Sequence, residues 1–380
     1  MFTKYCKAPP PPFRRFNVNS PGSYRWCPTG LLVLSLCLFL IGCAGTQSVQ
    51  TESGASPVNE HWPEVVQNDA YRQLAIESAQ EYRAKGLGFR QYLSENDYDP
   101  FGDYLNWGEN KLGQYHEGEN RVFDENGIYM VKYNNGSDEF NYNATTVAQQ
   151  ALSYYGGYLK GMVTKESFLA ITAFLLELEE ENGSFPNGYD YRYYVDPENY
   201  YKAGWTDAMT IGNVLSAFTR AYRLTNDSKY VDGAVRAIAF LNVPIEEGGP
   251  YTTLAALDPS LEGYAILEEY PCDPPTYTLN GYMYTLIGLY DWSQTGAEGS
   301  DRAKELFNDG IRTLEKILPY YDIGGFTCYD LAHITWNRET PHVSLGYHRV
   351  HVAFCKIFYD ITGIETFNHY YTLWASYVAA

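Results

Sequence analysis

The chain has 380 residues, 45% of them hydrophobic, which is enough to bury a large core in one to three domains. Its 46 acidic residues outnumber the 27 basic ones, and the formal net charge is −19. Because phosphate groups are bound by a basic face, this charge argues against nucleic acid as a partner.

The N-terminus has the layout of an export signal. Five basic residues and no acid precede an apolar run over residues 31–41, which is too short to span a bilayer. The run ends in Leu40-Ile41-Gly42-Cys43, which resembles the bacterial lipobox, whose cysteine is lipidated and becomes the first residue of the mature protein. We therefore predict a signal peptide over residues 1–43 and an exported lipoprotein, anchored through Cys43 to a bacterial membrane in the periplasm or at the cell surface. An ordinary signal peptide is the alternative.

The segments that follow differ in composition. Residues 44–62 are rich in Ser, Gly, Thr and Gln, which predicts a flexible tether. Residues 63–142 are predicted to form a helix, over 63–84, and a β-hairpin over 121–142 with an Asn-Asn-Gly turn at 134–136. The acids between Tyr98 and Asp103 could hold a structural calcium ion, but nothing else supports one, and a solvated loop is the simpler interpretation.

Beyond residue 143 the helical patterns come in pairs. The predicted pairs are residues 145–159 with 165–180, 207–224 with 230–241, 279–292 with 303–317, and 349–359 with 367–378. A tyrosine near the end of each first helix, at positions 155, 222, 290 and 359, indicates a repeat, although chance spacing is an alternative in so tyrosine-rich a chain. We therefore predict a mainly α fold over residues 143–380, an incomplete α/α toroid of helical hairpins whose long loops enclose a groove.

Two of the long loops contain the chemistry. In residues 268–291, three prolines exclude a helix or central strand, so Glu268, Glu269 and Tyr270 lie in a rigid loop before a buried helix. A surface loop with two solvated glutamates is the alternative. Residues 319–348 add further phenols, carboxylates and bases. Neither loop has metal-ligand spacing, phosphate-binding glycines or a nucleophile elbow, so the groups present favour proton transfer. The three cysteines that remain after processing, at positions 272, 328 and 355, allow at most one disulfide.

Several motifs in this half of the chain carry a resemblance. They are Glu-Glu-Tyr-Pro followed by Leu-Asn-Gly-Tyr-Met-Tyr-Thr-Leu-Ile-Gly-Leu-Tyr-Asp, then Leu-Pro-Tyr-Tyr-Asp, Tyr-Asp-Leu, and Tyr-His-x-x-His. From about residue 204 to the end, the chain resembles the C-terminal domain of the D-glucuronyl C5-epimerases that act on heparan sulfate precursors.

The resemblance implies a fold and a reaction. It implies a β-rich N-terminal part, an incomplete α/α barrel, and conversion of D-glucuronate to L-iduronate within a heparosan-like polysaccharide. Position by position, the family's functional glutamate is Glu269, and its tyrosines are Tyr270, Tyr329 and Tyr347. No organic cofactor and no metal ion are implied, and the expected partner is an anionic uronic-acid polysaccharide.

The residue types in these loops suit that reaction, whether or not the chain resembles the family. Removal of the carbon-5 proton of a uronate makes an enolate dianion unless the carboxylate is neutralised, and inversion needs an acid on one face and a base on the other. Glu269 and Tyr347 are the candidates for that pair, with Tyr270 and Tyr329 orienting the sugar.

The chain also departs from the family pattern. Ala332 stands where the family has an arginine, and a Met-Ala-Gln-Gly-Gln run is replaced around residues 208–212. We expect the missing cation to be supplied by His333, Arg338, His348 or Arg349. A polysaccharide lyase using the same proton abstraction and a non-catalytic glycan-binding lipoprotein are alternatives, and the sequence leaves a homodimer open.

One prediction concerns the anchor. Because the apolar run ends in a lipobox-like cysteine, the Cys43→Ser variant should leave the membrane fraction and appear as soluble protein after cell fractionation. Membrane partition equal to that of the unaltered chain would contradict the lipoprotein assignment.

Overall fold

Helical hairpins form most of the part of the chain that a computed structural model describes, which is residues 68–94, 96–133, 137–196 and 201–379. These residues belong to one compact unit, Glu60–Ala380. The predicted signal peptide with Cys43 and the tether over 44–62 lie outside the described residues. No helix among the described residues combines the length and the hydropathy needed to cross a membrane.

The helices and strands account for the predicted fold class. In chain order, the helices are α1 (Asp69–Ala84), α2 (Trp107–Asn110), α3 (Ala144–Leu159), α4 (Lys165–Leu178), α5 (Ala208–Thr225), α6 (Ser228–Phe240), α7 (Leu279–Ser293), α8 (Ser300–Ile317), α9 (Ala332–Thr335), α10 (Leu345–Thr362) and α11 (Glu365–Tyr377). The described strands are β1 (Arg121–Phe123), β2 (Tyr129–Val131), β3 (Tyr251–Thr253) and β4 (Ala265–Leu267). The prediction of a mainly α fold is therefore confirmed, and each predicted helical pair is present.

Local sequence explains where the paired helices begin and end. Asn143, Thr164 and Asp207 precede α3, α4 and α5, and each side chain accepts a hydrogen bond from a backbone N–H in the first turn. Asn226 ends α5 and Gly363 ends α10, both with a positive φ angle. The turns between paired helices are consequently short.

The four hairpins are arranged as an incomplete α/α toroid. Helices α3, α5, α7 and α10 contact one another in succession, and each packs against its partner, α4, α6, α8 or α11. Nearly every residue of α5 and α7 is buried, whereas α8 buries one face only. The first helices therefore form the inner layer and the second helices the outer layer.

The inner helices α5 and α7 approach closely because glycines meet at their crossing. A Cβ atom added to Gly288 would lie 2.0 Å from the Gly212 carbonyl oxygen, and one added to Gly212 would lie 2.5 Å from the Thr285 Cα atom. No other residue type fits at either position without moving a helix.

A buried ion pair joins the same two helices farther along. Arg220 of α5 donates from Nη1 to Asp291 Oδ2 of α7 at 2.7 Å, and neither side chain is exposed to solvent. Arg220 also donates to the Ser216 and Gly102 carbonyls, and the Tyr98 hydroxyl donates to Asp291. These contacts hold the loop before α2 against the helices.

The N-terminal hairpin contains a turn in addition to the predicted one. Strands β1 and β2 are antiparallel and are joined by residues 124–128, where Gly127 has a φ angle of 77°. The predicted turn at 134–136 lies outside the described residues, although Val131 and Asn141 on either side pair through both backbone hydrogen bonds. The structure therefore adds a turn at Asp-Glu-Asn-Gly, residues 124–127, and the turn at 134–136 stays a prediction.

The loop acids that could have held calcium have protein partners. Asp99 accepts a hydrogen bond from the Phe101 N–H, and Asp103 pairs with Lys160 at 3.2 Å. Within the described residues, no group of three or more His, Cys, Asp or Glu side chains could hold a metal ion. The cysteines at positions 272, 328 and 355 are free thiols.

The Asp291→Asn substitution should destabilise the fold by about 3–5 kcal/mol, because it leaves the Arg220 charge buried without a counter-charge. The matched control is Asp309→Asn, which breaks the exposed pair of Asp309 with Arg312 on α8 and should cost less than about 1 kcal/mol. Urea unfolding of the three proteins measures both effects. Equal stability of the two variants would mean that the buried pair has no special role.

Candidate active site

A cleft opens where the long loops meet the N-terminal ends of the inner helices. Its cavity volume is about 240 Å³. It is lined by Tyr133, Asn143, Thr145, Thr146, Gln149, Tyr189, Tyr191, Trp205, Asp207, Met209, Glu269, Tyr270 and Tyr347. Three of the four predicted catalytic residues therefore line one cleft, and the fourth, Tyr329, contacts two of them.

The β3–β4 hairpin brings the paired glutamates to this cleft. The Glu268 N–H donates to the Pro250 carbonyl at 2.8 Å, and the Ala208 N–H at the start of α5 donates to the Glu268 carbonyl at 2.9 Å. The Glu268 carboxylate accepts a hydrogen bond from the Tyr277 N–H, so it fixes the loop before α7 and does not line the cleft. Glu268 is therefore a structural residue, while Glu269 lines the cleft.

Glu269 lies against the first turn of α7. Asn280 Nδ2 donates to Glu269 Oε2 at 3.0 Å, and a Cβ atom on Gly281 would lie 2.4 Å from the same oxygen. Gly281 therefore provides the space that the carboxylate occupies. Burial, followed by the charge of Asp207, raises the pKa of Glu269 to about 8, although the hydrogen bonds that it accepts lower the pKa.

The predicted tyrosines surround this carboxyl group. The Tyr329 hydroxyl donates to Glu269 Oε1 at 3.3 Å, and the Tyr329 ring contacts the Tyr347 ring with centroids 4.8 Å apart. Tyr347 lies in the first turn of α10. Burial is the largest cause of a raised pKa at Tyr270, Tyr329 and Tyr347 alike, so all three phenols are protonated at neutral pH.

The loop between α4 and α5 covers one side of the cleft with aromatic rings. Backbone pairing of Asn187 with Trp205 and of Tyr191 with Tyr201 folds this loop back on itself. The Tyr191 ring stacks on Trp205 at 5.6 Å and on Tyr270 at 5.8 Å. The loop therefore adds a flat aromatic wall, which is the surface that a sugar ring packs against.

Asp207 is a further carboxylate that sequence reasoning treated only as the start of a helix. It accepts hydrogen bonds from the Thr210 N–H and from Asn187 Nδ2, and burial is the largest cause of its raised pKa. The pattern of an N-cap aspartate does not distinguish a helix cap from a cleft residue. The arrangement of the loops is what places this carboxylate in the cleft.

Two of the four predicted substrate-binding cations belong to α10 and lie away from the cleft. His348 is fully buried, stacks on Phe326 with ring centroids 4.0 Å apart, and has its pKa lowered to about 3 by burial. It cannot contact a substrate in this structure, which corrects its predicted role. Arg349 lies over the Tyr92 ring and donates to the Gly346 carbonyl.

The other two predicted cations also lie outside the cleft. His333 contacts the Tyr71 ring edge-on, and burial lowers its pKa. Arg338 lines a second cavity, where its Nη2 donates to the Tyr194 and Val195 carbonyls. Among the residues that the structure describes, no lysine, arginine or histidine lines the cleft.

The substituted family position is part of a small aromatic core. Ala332 is fully buried in a cluster with Tyr193 and Val195, and Tyr270 and Trp336 pack against that cluster. The Ala332 N–H donates to Asp330 Oδ1 at 3.0 Å. Aromatic side chains therefore pack around the position where the family has an arginine.

Comparison with known proteins agrees with this geometry. Residues 179–376 match the family described as D-glucuronyl C5-epimerase C-terminus. A D-glucuronyl C5-epimerase of Caenorhabditis elegans is 36% identical over 172 residues, which is 43% of this chain and 26% of the worm protein. An uncharacterized protein of Methanocaldococcus jannaschii is 29% identical over 171 residues, which is 45% of this chain and 52% of that protein. The matches thus span about half or less of these relatives. The family match covers more than half of the chain, which therefore belongs to the family defined by the C-terminal domain of D-glucuronyl C5-epimerases.

Proposed function

We propose that this protein inverts carbon 5 of D-glucuronate units in an exported, heparosan-like polysaccharide and so produces L-iduronate. The observation that carries the proposal is that Glu269, from the loop before α7, and Tyr347, from the first turn of α10, line one cleft. Family membership supports an epimerase. The choice of substrate follows from the resemblance to the D-glucuronyl C5-epimerases, and the carboxyl and phenol groups in the cleft are compatible with it.

In the proposed reaction, one group accepts a proton as the other provides one. Ionised Glu269 takes the proton from carbon 5 of glucuronate, and the electron pair of the broken C–H bond moves into the carboxylate to give an enolate. The Tyr347 hydroxyl then gives its proton to the opposite face of carbon 5. Burial raises the pKa of Tyr347 and so keeps the phenol protonated, with a proton available to give, and the pKa of Glu269 near 8 makes its carboxylate a stronger base than that of a solvated glutamate.

The groups must then be reset. After one inversion Glu269 holds a proton and Tyr347 is a phenolate. After the product leaves, exchange with solvent returns Glu269 to the carboxylate and Tyr347 to the phenol, while the Tyr329 hydroxyl keeps its hydrogen bond to Glu269 Oε1. The active form of the pair therefore holds a single proton, whichever direction the reaction takes.

The substrate carboxylate is expected to meet neutral donors in the cleft. Tyr191 and Tyr270 have raised pKa values because of burial, so their hydroxyls remain protonated and can donate hydrogen bonds. Gln149 adds an amide to the same cleft. Such donors stabilise a developing enolate without a formal charge, as in an oxyanion hole.

Incubation with heparosan in heavy water tests the proposed function. NMR should show deuterium at carbon 5 and the appearance of iduronate signals. An unsaturated product that absorbs ultraviolet light would instead identify a lyase, and unchanged polymer would mean that the cleft has no epimerase activity on this substrate.

The Glu269→Gln and Tyr347→Phe variants should each lower net epimerisation by about a hundredfold or more, because each removes one proton-transfer group. Heparosan affinity should change little, since both substitutions keep the size of the side chain. The controls are Glu305→Gln on α8 and Tyr371→Phe on α11, which lie on outer helices. Near-normal inversion by either cleft variant, purified and folded, would remove that residue from the mechanism.

The rate should also depend on pH with a defined sign. Because the pKa of Glu269 is raised to about 8, roughly a tenth of this group is ionised at pH 7, and kcat/KM should rise as the pH passes through 8. Asp207→Asn keeps a capping side chain but removes a charge that raises this pKa, so it should move the rise to lower pH. A flat profile between pH 6 and 9 would contradict Glu269 as the base.

A further inference from the structure

A second cavity lies beside the cleft and contains the cation that the cleft lacks. Its volume is about 520 Å³, and we call it the Arg338 pocket. It is lined by Tyr194, Arg338, Glu339, Thr340, Pro341, His342 and Val343. It thus combines one permanent cation, one imidazole, one exposed tyrosine ring and one acid.

A buried aspartate fixes two of these side chains. Asp330 is fully buried and accepts hydrogen bonds from the Tyr194 hydroxyl at 2.7 Å and from His342 Nδ1 at 3.2 Å. It also accepts one from the Tyr193 hydroxyl at 3.2 Å. Because a carboxylate only accepts, the His342 proton lies on Nδ1, and the Tyr194 ring, 38% exposed, is held with its hydroxyl turned inward. The Tyr194 and His342 side chains of the pocket are therefore held in place without a ligand.

Two series of ring contacts connect this pocket to the cleft. Tyr270, which lines the cleft, stacks on Tyr193 at 4.2 Å, and Tyr193 contacts Tyr194 at 5.1 Å. In the second series, Tyr347 contacts Tyr329, which contacts His342 at 4.9 Å. The Tyr193 and Tyr329 rings thus lie between the linings of the two cavities, and a polymer bound in the cleft has to cross this aromatic layer to reach the Arg338 pocket.

The guanidinium of Arg338 is only partly used by the protein. Its Nη2 donates to the backbone carbonyls of residues 194 and 195, which holds the group in place. Its other nitrogens have no hydrogen-bond partner, and the group has no carboxylate partner, among the described residues. Glu339 is an exposed acid on the rim and opposes anion binding. A fixed guanidinium with free N–H groups is the arrangement that recognises a carboxylate or a sulfo group.

We propose that the Arg338 pocket is a subsite for the anionic substituent of a sugar near the one being inverted, with Arg338 binding the anion and Tyr194 packing against the ring. This inference rests on the proposed function, because it takes the ligand to be an extended uronic-acid polymer. In this inference Arg338 helps to recognise the polysaccharide, and it does not bind the carboxylate of the reacting sugar. The same group could meet a neighbouring carboxylate or a sulfo group on an amino sugar.

The test compares short and long ligands with full-length protein. Dissociation constants for a methyl glucuronoside, which contains no second sugar, and for a heparosan octasaccharide are measured by calorimetry at one fixed salt concentration. Arg338→Gln should weaken octasaccharide binding on the order of tenfold and leave binding of the glucuronoside unchanged, since the charge-assisted contact is made only by a further sugar of the longer chain. Arg312→Gln on the outer helix α8 makes the same change of charge and should affect neither ligand.

Further arms separate the explanations. Arg338→Lys keeps the charge and should retain much of the octasaccharide affinity; a loss as large as that of the glutamine variant would indicate a structural role and overturn the proposal. If Arg338→Gln weakens binding of the unsulfated octasaccharide, the bound anion is a neighbouring carboxylate. If it weakens binding of the N-sulfated octasaccharide only, the bound anion is a sulfo group. If Arg338→Gln binds both octasaccharides as tightly as the unaltered protein does, the proposal is overturned. Carbon-5 exchange of the bound oligosaccharides is recorded separately, so failure of catalysis and failure of the subsite are distinguishable.

Discussion

The close crossing of α5 and α7 is the constraint on which the rest of the structure depends. Backbone atoms of the two helices meet at Gly212 and Gly288, where a single methyl group would force them apart. Farther along, the Arg220–Asp291 pair locks their separation in a region without solvent. At their beginnings, the same crossing sets Asp207 and Glu269 in one cleft. The spacing of these two carboxyl groups is thus a consequence of helix packing.

Burial in this cleft changes what ordinary side chains can do. A solvated glutamate would be fully ionised and a weak base at neutral pH, whereas Glu269 can exchange a proton there because desolvation raises its pKa to about 8. The surrounding phenols have pKa values raised by the same cause and remain donors. In the proposed reaction, Glu269 and Tyr347 act on opposite faces of the sugar and share one proton between them, while the other phenols of the cleft stay neutral.

Much of the fold could be predicted because the paired helices have periodic apolar patterns and because α3, α4 and α5 each begin at a capping side chain. The residues that the motifs named, Glu269, Tyr270, Tyr329 and Tyr347, do lie together, although their roles stay a prediction. The aromatic wall was missed because the loop between α4 and α5 has no periodicity to indicate which rings face inward.

The predicted cations show a different limit of sequence reasoning. Proximity along the chain to Tyr347 suggested His348 and Arg349, but successive helical residues point roughly 100° apart. Tyr347 faces the cleft, His348 therefore faces the core, and Arg349 faces Tyr92. Only a structure determines which of three consecutive side chains faces the cleft.

The position of one indole in the aromatic wall has a spectroscopic consequence. Trp205 is partly exposed, lines the cleft and stacks against Tyr191, whereas Trp107, Trp292 and Trp374 are fully buried in the helical layers. A ligand that displaces water from the cleft would change the polarity around Trp205. It would leave the buried indoles, and the partly exposed Trp336 outside the cleft, in the environment that they already have. The intrinsic fluorescence of the protein therefore contains a signal for the occupancy of the cleft, and binding can be followed without a label or a chemical reaction.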